Sequence, residues 1–214
     1  MGRHQRSEDP AVIYHAVSRG NNRGPIVWDH HDCASLTGEL ARVAAKYGWE
    51  VFAWCLMTNH YHVVLRAPFG GMSAGFQELN GNHARRTNHR YGRVGHLFHN
   101  RFFSIDVSSA AHLVASVLYV ARNPLAAGLC SDAGAWPDSS YRATAGLSDA
   151  PAWLALPEVL DLFGHDTIEA QGQYARMVHF GHLPVSDTIE RVMEAEPQTI
   201  EETESGLSVV RSAA

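Results

Sequence analysis

His60 and His62 stand in the run MTNHYHVVL, and 57 residues after His62 comes Tyr119, with Asn123 one helical turn beyond it in LYVARNPLAAGL. Two imidazoles on one side of a strand can hold a divalent cation, and a tyrosine beside them can attack a phosphodiester that the cation polarises. Together they suggest an enzyme that cuts nucleic acid through a covalent phosphotyrosine link. Neither half suffices alone. Fourteen histidines in 214 residues give about one His-x-His triplet by chance, and the chain has one, so the pattern needs structural context.

That context is a pair of strands. EVFAWCL, residues 50–56, is aromatic and β-branched; MTN interrupts; HYHVVLR then resumes with strict alternation. In the second strand His60, His62, Val64 and Arg66 point to one face, and Tyr61, Val63 and Leu65 to the other. If the apolar set packs on a core, both histidines emerge together on the opposite face of a half-exposed strand.

The tyrosine belongs to a helix. Ser108 or Ser109 can cap its start, and Leu113, Val117 and Val120 make an apolar stripe at spacings of four and three. His112, Ser116, Tyr119 and Asn123 make a second, polar stripe, so Tyr119 and Asn123 face the same way. Pro124 is expected to stop the helix just past them. A tyrosine has a pKa of about 10, so it is a weak nucleophile at neutral pH and needs a base or local positive charge to attack.

MTNHYHVVL, GRVGHLFHNRF and YVARNPLAAGL resemble the signatures of the single-tyrosine HUH transposases, and most closely the REP-associated tyrosine transposases. HAVSRGNNRGPI near the amino end and WPDSSYRA after the tyrosine helix are similar to that subgroup too. The likeness runs from about Val12 to Ala143. It implies a metal-dependent nuclease and strand transferase for single-stranded DNA, often beside a hairpin. On matching positions it implies His60 and His62 as metal ligands, Tyr119 as nucleophile and Asn123 as a third, amide-type ligand, with Mg2+ or Mn2+ as the cation. The chain departs from the pattern at Thr58, where proline is usual, and at Ala121, where the subgroup often has histidine.

The net charge of -5 opposes DNA binding only until the chain is divided. Residues 1–130 carry 13 Arg and Lys against 8 acids, a net of +5; residues 131–214 carry 4 against 14, a net of -10. Five arginines (Arg85, Arg86, Arg90, Arg93 and Arg101) fall within Leu79–Ile105 without one acid, and a local basic patch is what attracts phosphates. With Arg19 and Arg23 of the glycine-rich SRGNNRG loop, they are the expected contacts to single-stranded or hairpin-forming DNA.

The order β-α-β-β-α-β-α reads along the chain, the first helix starting at Asp32 or Ser35 and ending at Gly48, and the last strand lying near His96–Ile105. It predicts an α+β fold, a mainly antiparallel sheet with helices on one face, plus a small C-terminal helical appendage. The ferredoxin-like, RNA-recognition-motif-like fold of the HUH family agrees with it. The expected organisation is a transposase domain over 1–145, a helical accessory segment over 150–181, and an acidic, disordered tail over 182–214 with seven acids against two arginines. No apolar run approaches the roughly 20 residues of a membrane span, and the polar start has no signal-peptide core, so a soluble cytoplasmic protein is expected, as monomer or homodimer. Cys33, Cys55 and Cys130 are odd in number and widely spaced, which suggests reduced thiols. The residues admit two further functions: a catalytically inactive nucleic-acid-binding module, and a metal-dependent hydrolase with a water nucleophile, for which Asp106 is the only nearby acid after the basic segment.

Overall fold

The computed structural model describes residues 8–180, 200–203 and 206–209. Four strands, β1 (Ile13–Arg19), β2 (Glu50–Leu56), β3 (His60–Arg66) and β4 (Phe103–Val107), pair antiparallel in the order β2-β3-β1-β4. The hairpin β2–β3 lies where its alternation places it. The last strand is shorter than the expected His96–Ile105, because residues before Phe103 run as loop, joined to the end of β1 by a bridge between Gly20 and Phe98 and by the His99 N–H, which donates to the Arg19 carbonyl at 2.9 Å.

Helices cover both faces of this sheet, not one. On the first face lie α1 (His30–Tyr47) and α2 (Met72–Tyr91), whose Leu36, Leu40, Val43, Phe76 and Leu79 share a core with Tyr14, Ala16, Tyr61, Val63 and Leu65. On the second lies α3 (Ala110–Ala126), whose Leu113, Val117, Val120 and Ala121 pack with Phe52, Cys55, Val64 and Val107. The reason is compositional. The alternate positions of β2 and β3 that point away from α1 and α2 include Cys55 and Val64, both fully buried, and an apolar face of that kind must be covered.

Helix ends follow local chemistry. The Asp29 side chain accepts the Asp32 N–H to cap α1, which therefore starts earlier than Asp32 or Ser35; Gly48 ends it in the left-handed region, at φ 62°. Ser109 accepts the His112 N–H to cap α3. Pro124 does not stop α3, which runs on to Ala126. A proline in the last turn removes only one helical hydrogen bond, and there the helix tolerates it.

The WPDSSYRA segment leads into a short helix, α4 (Tyr141–Thr144), and seals the edge of β2: Ser140 N–H donates to the Trp54 carbonyl at 2.9 Å and Leu56 N–H to the Asp138 carbonyl at 2.8 Å. The next helices, α5 (Leu156–Asp161) and α6 (Thr167–Phe180), lie in the expected accessory segment and join the α3 core through Val159, Tyr174 and Val178, all fully buried. The described residues 8–180 form one compact unit. In the second unit β5 (Ile200–Thr203) and β6 (Gly206–Val209) pair as an antiparallel hairpin; the rest of the expected disordered tail lies outside the described residues. The three cysteines are free thiols, Cys55 buried and the other two half-buried. Among the described residues no helix is long and apolar enough to cross a membrane.

Candidate active site

Because α3 crosses the face of β3 that carries the histidines, the two halves of the sequence pattern meet. The His62 and Tyr119 rings stand edge to face with centroids 5.6 Å apart, and the His60 and His62 rings 5.0 Å apart. Asn123, one turn beyond Tyr119, hydrogen-bonds the His60 side chain, and its amide nitrogen donates to the Tyr119 carbonyl at 3.0 Å. His60, His62, Tyr119 and Asn123 therefore form one cluster. Tyr119 and Asn123 are half-buried, leaving the site open on one side, while His62 is fully enclosed.

Burial sets the ionisation of the imidazoles. It pushes His62 well below the usual histidine range, with His60 and His15 adding to the effect. His60 is lowered to about 4 by burial and by the Arg19 charge, against the opposing effect of its hydrogen bond to Asn123. Both rings are neutral at pH 7, the state in which a histidine has a lone pair to give a metal.

One ring nitrogen is conspicuous. His62 Nε2 is buried and has no hydrogen-bond partner among the described residues, a cost of about 1–3 kcal/mol if nothing fills it. Its Nδ1 is occupied by His15 Nε2 at 3.0 Å. His60 Nδ1 is likewise taken, by Asn59 Oδ1 at 2.7 Å. Among the described residues no three His, Cys, Asp or Glu cluster to hold a metal, so a third protein ligand beside the two imidazoles has to be a neutral group such as the Asn123 amide. The donor set fits a divalent cation with positions left open. Asp106 is exposed on β4, opposite Tyr14, and does not complete the site. Ala121 is buried in the α3 core.

The seven candidate DNA-binding arginines divide. Arg19 ends β1 in register with His60, and its charge reaches that ring. Arg23 lies just beyond, in a turn anchored to the start of β3 by Asn59, whose amide donates to the Arg23 carbonyl at 3.0 Å. Gly20 makes the turn possible: a Cβ there would sit 2.0 Å from the Gly24 carbonyl oxygen. Asn22 and Arg23 both adopt left-handed backbone, at φ 51° and 57°, a strained pair of non-glycine residues beside the histidines.

Arg85, Arg86, Arg90 and Arg93 belong to α2 and its end, on the opposite face of the sheet. Arg86 pairs with Glu39 at 2.6 Å and Arg90 with Asp29 at 2.7 Å and Asp32 at 2.6 Å, while Arg85 hydrogen-bonds Asn82 and Arg93 lies over the Trp28 ring. The stretch without acids is thus supplied with acids by α1. Arg101 is exposed ahead of β4. Residues the sequence reading missed are His15 and Asn59. His15 alternates with Val17 and Arg19 along β1, but only the strand register brings it to His62.

Comparison with known proteins agrees with this architecture. Residues 10–123, more than half of the chain, match the family model described as IS200-like transposase. A comparison with curated proteins gave no match. Among solved structures, a REP-associated tyrosine transposase bound to a REP hairpin superposes with a TM-score of 0.57 at 18% identity, covering 71% of this chain and 89% of that one. A candidate transposase from Deinococcus radiodurans gives a TM-score of 0.39 at 22% identity over 51% of this chain and 86% of that one. A tRNA(His) guanylyltransferase from Saccharomyces cerevisiae gives 0.44 at 10% identity over 86% and 96%. The last two likenesses are too slight to bear on the fold. With an antiparallel α+β sheet of the kind seen in the first, and a family match spanning the paired histidines and the tyrosine helix, this chain belongs to the IS200-like transposases.

Proposed function

We propose that the chain cleaves and rejoins single-stranded DNA through a 5′-phosphotyrosine on Tyr119, with His60, His62 and Asn123 holding Mg2+ or Mn2+. The observation that carries this reading is the meeting of Tyr119 with a buried, neutral His62 whose Nε2 has no hydrogen-bond partner among the described residues. A cation bound there would polarise the phosphodiester and offset charge in the transition state.

The rest of the chemistry belongs to the chain. Tyr119 Oη attacks phosphorus, forming the tyrosyl P–O bond as the P–O3′ bond breaks; the phenolic proton goes to solvent and the departing 3′ oxygen takes up a proton. A second 3′-OH can reverse the step and join a different strand, since the phosphotyrosine retains the bond energy. Arg19 and Arg23, beside His60, are suited to the phosphates flanking the scissile bond. Arg93 and Arg101 are exposed, whereas Arg86 and Arg90 are engaged with acids of α1 and its cap. The REP hairpin on the structurally similar transposase supports single-stranded DNA next to a hairpin as the substrate class.

Incubation with Mg2+ or Mn2+ and labelled single-stranded DNA carrying a hairpin should give a protein–DNA adduct that survives denaturing electrophoresis. Tyr119→Phe keeps the ring but removes the nucleophilic oxygen, and the adduct should vanish. An adduct persisting in that variant would move the nucleophile elsewhere. Cleavage without an adduct would mean a water nucleophile, and neither cleavage nor adduct a binding module.

A further inference from the structure

We propose that His15 is a positioning residue for metal binding: by accepting a hydrogen bond from His62 Nδ1 on its own Nε2, it fixes the tautomer in which the His62 Nε2 lone pair faces the cation. The inference rests on the metal reading above and assigns a role to a residue outside the His-x-His pair.

The geometry is specific. β1 and β3 are antiparallel neighbours in which Val17 faces His62 and His15 faces Val64, so His15 and His62 are diagonal partners on one face. Their nitrogens are 3.0 Å apart, their rings are tilted by 58°, and both side chains are fully buried. Two neutral imidazoles share one hydrogen across that contact. If His15 donates, the His62 hydrogen must sit on Nε2, and that nitrogen has nothing to offer a cation. If His62 donates, its Nε2 is a free lone pair and the His15 hydrogen sits on Nδ1.

Only the second arrangement makes His62 a ligand. Both His62 Nε2 and His15 Nδ1 are buried without a partner among the described residues, so no protein group at either outer nitrogen fixes the tautomer, and the contact between the two rings is what does. A ligating histidine usually hands its other N–H to a carboxylate, a carbonyl or a water. Here the acceptor is a second imidazole, held rigidly by a central strand. An apolar residue at position 15 would fill the space but leave the choice of tautomer open and the His62 ring without an anchor.

Mn2+ binding to the full-length chain, followed by the electron paramagnetic resonance of the free ion, tests this in the absence of DNA. His15→Phe should weaken binding by about 10–100-fold, the usual cost of losing such a support. His15→Gln, whose amide oxygen can accept from His62 Nδ1, should stay close to wild type, and His62→Ala should bind more weakly than either. Equal affinity in wild type and His15→Phe overturns the role of His15 and leaves the metal site standing. Wild type binding no better than His62→Ala overturns the metal site, and the inference with it. Nitrogen-15 spectra of the Mg2+-loaded wild type give an arm that needs no variant to fold. His62 should carry its hydrogen on Nδ1, and a hydrogen on Nε2 would refute the proposal.

Discussion

Tyr119 and His62 meet edge to face at 5.6 Å from elements that run across one another, a strand in the centre of the sheet and the helix that covers it. The helix fixes the direction of Tyr119, and the buried strand fixes that of His62, so the pair is set before any substrate arrives. If His62 serves a cation, chelation or His62→Ala should lower cleavage by several kcal/mol of barrier, on the order of 10³-fold, with DNA affinity largely kept. Asn123→Ala should cost less, since water can replace an amide ligand. Single-turnover cleavage rates beside binding isotherms make the check; full cleavage in excess chelator would discard the metal.

Arg19 and Arg86 should behave differently although both are arginines in basic stretches. Arg19→Ala and Arg23→Ala should weaken single-stranded DNA binding for all sequences, each flattening the salt dependence of log K by roughly 0.7. Arg86→Ala takes an ion-pair partner from Glu39, whose side chain is 2% exposed, and should cost about 1–3 kcal/mol of stability with little change in salt slope. Affinity against salt and denaturant titration on the same proteins separate the two effects. Equal slopes for wild type and the Arg19 and Arg23 variants would remove the turn from the DNA surface.

The strain at Arg23 allows a sharper comparison. Arg23→Ala and Arg23→Gly both remove the charge, but only glycine relieves a left-handed backbone at φ 57°. The glycine variant should be more stable than the alanine variant by about 1 kcal/mol, while both bind DNA equally weakly. Thermal or urea unfolding reads the first difference; no difference between them would mean that the turn carries no strain.

What could be read from the sequence was what depends on local pattern. Alternation in HYHVVLR placed His60 and His62 on one face, and helical spacing put Tyr119 and Asn123 on one stripe; the strands and helices fall in the expected order. The missing parts depend on tertiary pairing. Helices were expected on one face from the order of elements, yet the face of the sheet that carries His62 and Val64 is itself buried, and α3 packs on it. The Leu79–Ile105 stretch looked like free positive charge because Asp29, Asp32 and Glu39, which meet Arg86 and Arg90, lie on another helix and its cap. His15 is one histidine among fourteen until the register sets it beside His62.

The same α1–α2 ion pairs give a pH dependence with a definite sign. Burial alone would raise Glu39, but hydrogen bonds from Arg42, Asn82 and Arg86 outweigh it and hold the carboxyl at about 2 against an ordinary value of 4.5. A carboxylate with a depressed folded pKa binds fewer protons in the folded chain than in the unfolded one. Its contribution is therefore full above about pH 4.5 and is lost as the pH falls towards about 2. Glu39→Gln cannot ionise, so it should be less stable than wild type at pH 7, because Arg42 and Arg86 lose their shared anion. The gap should narrow as the pH falls below about 4.5, since the unfolded wild type takes up a proton at Glu39 that the folded chain does not. The other carboxylates titrate alike in both proteins and leave the difference unaffected. Urea midpoints taken between pH 7 and pH 3 decide it: a gap that stays constant across that range would mean that the Glu39 charge does not hold α1 to α2.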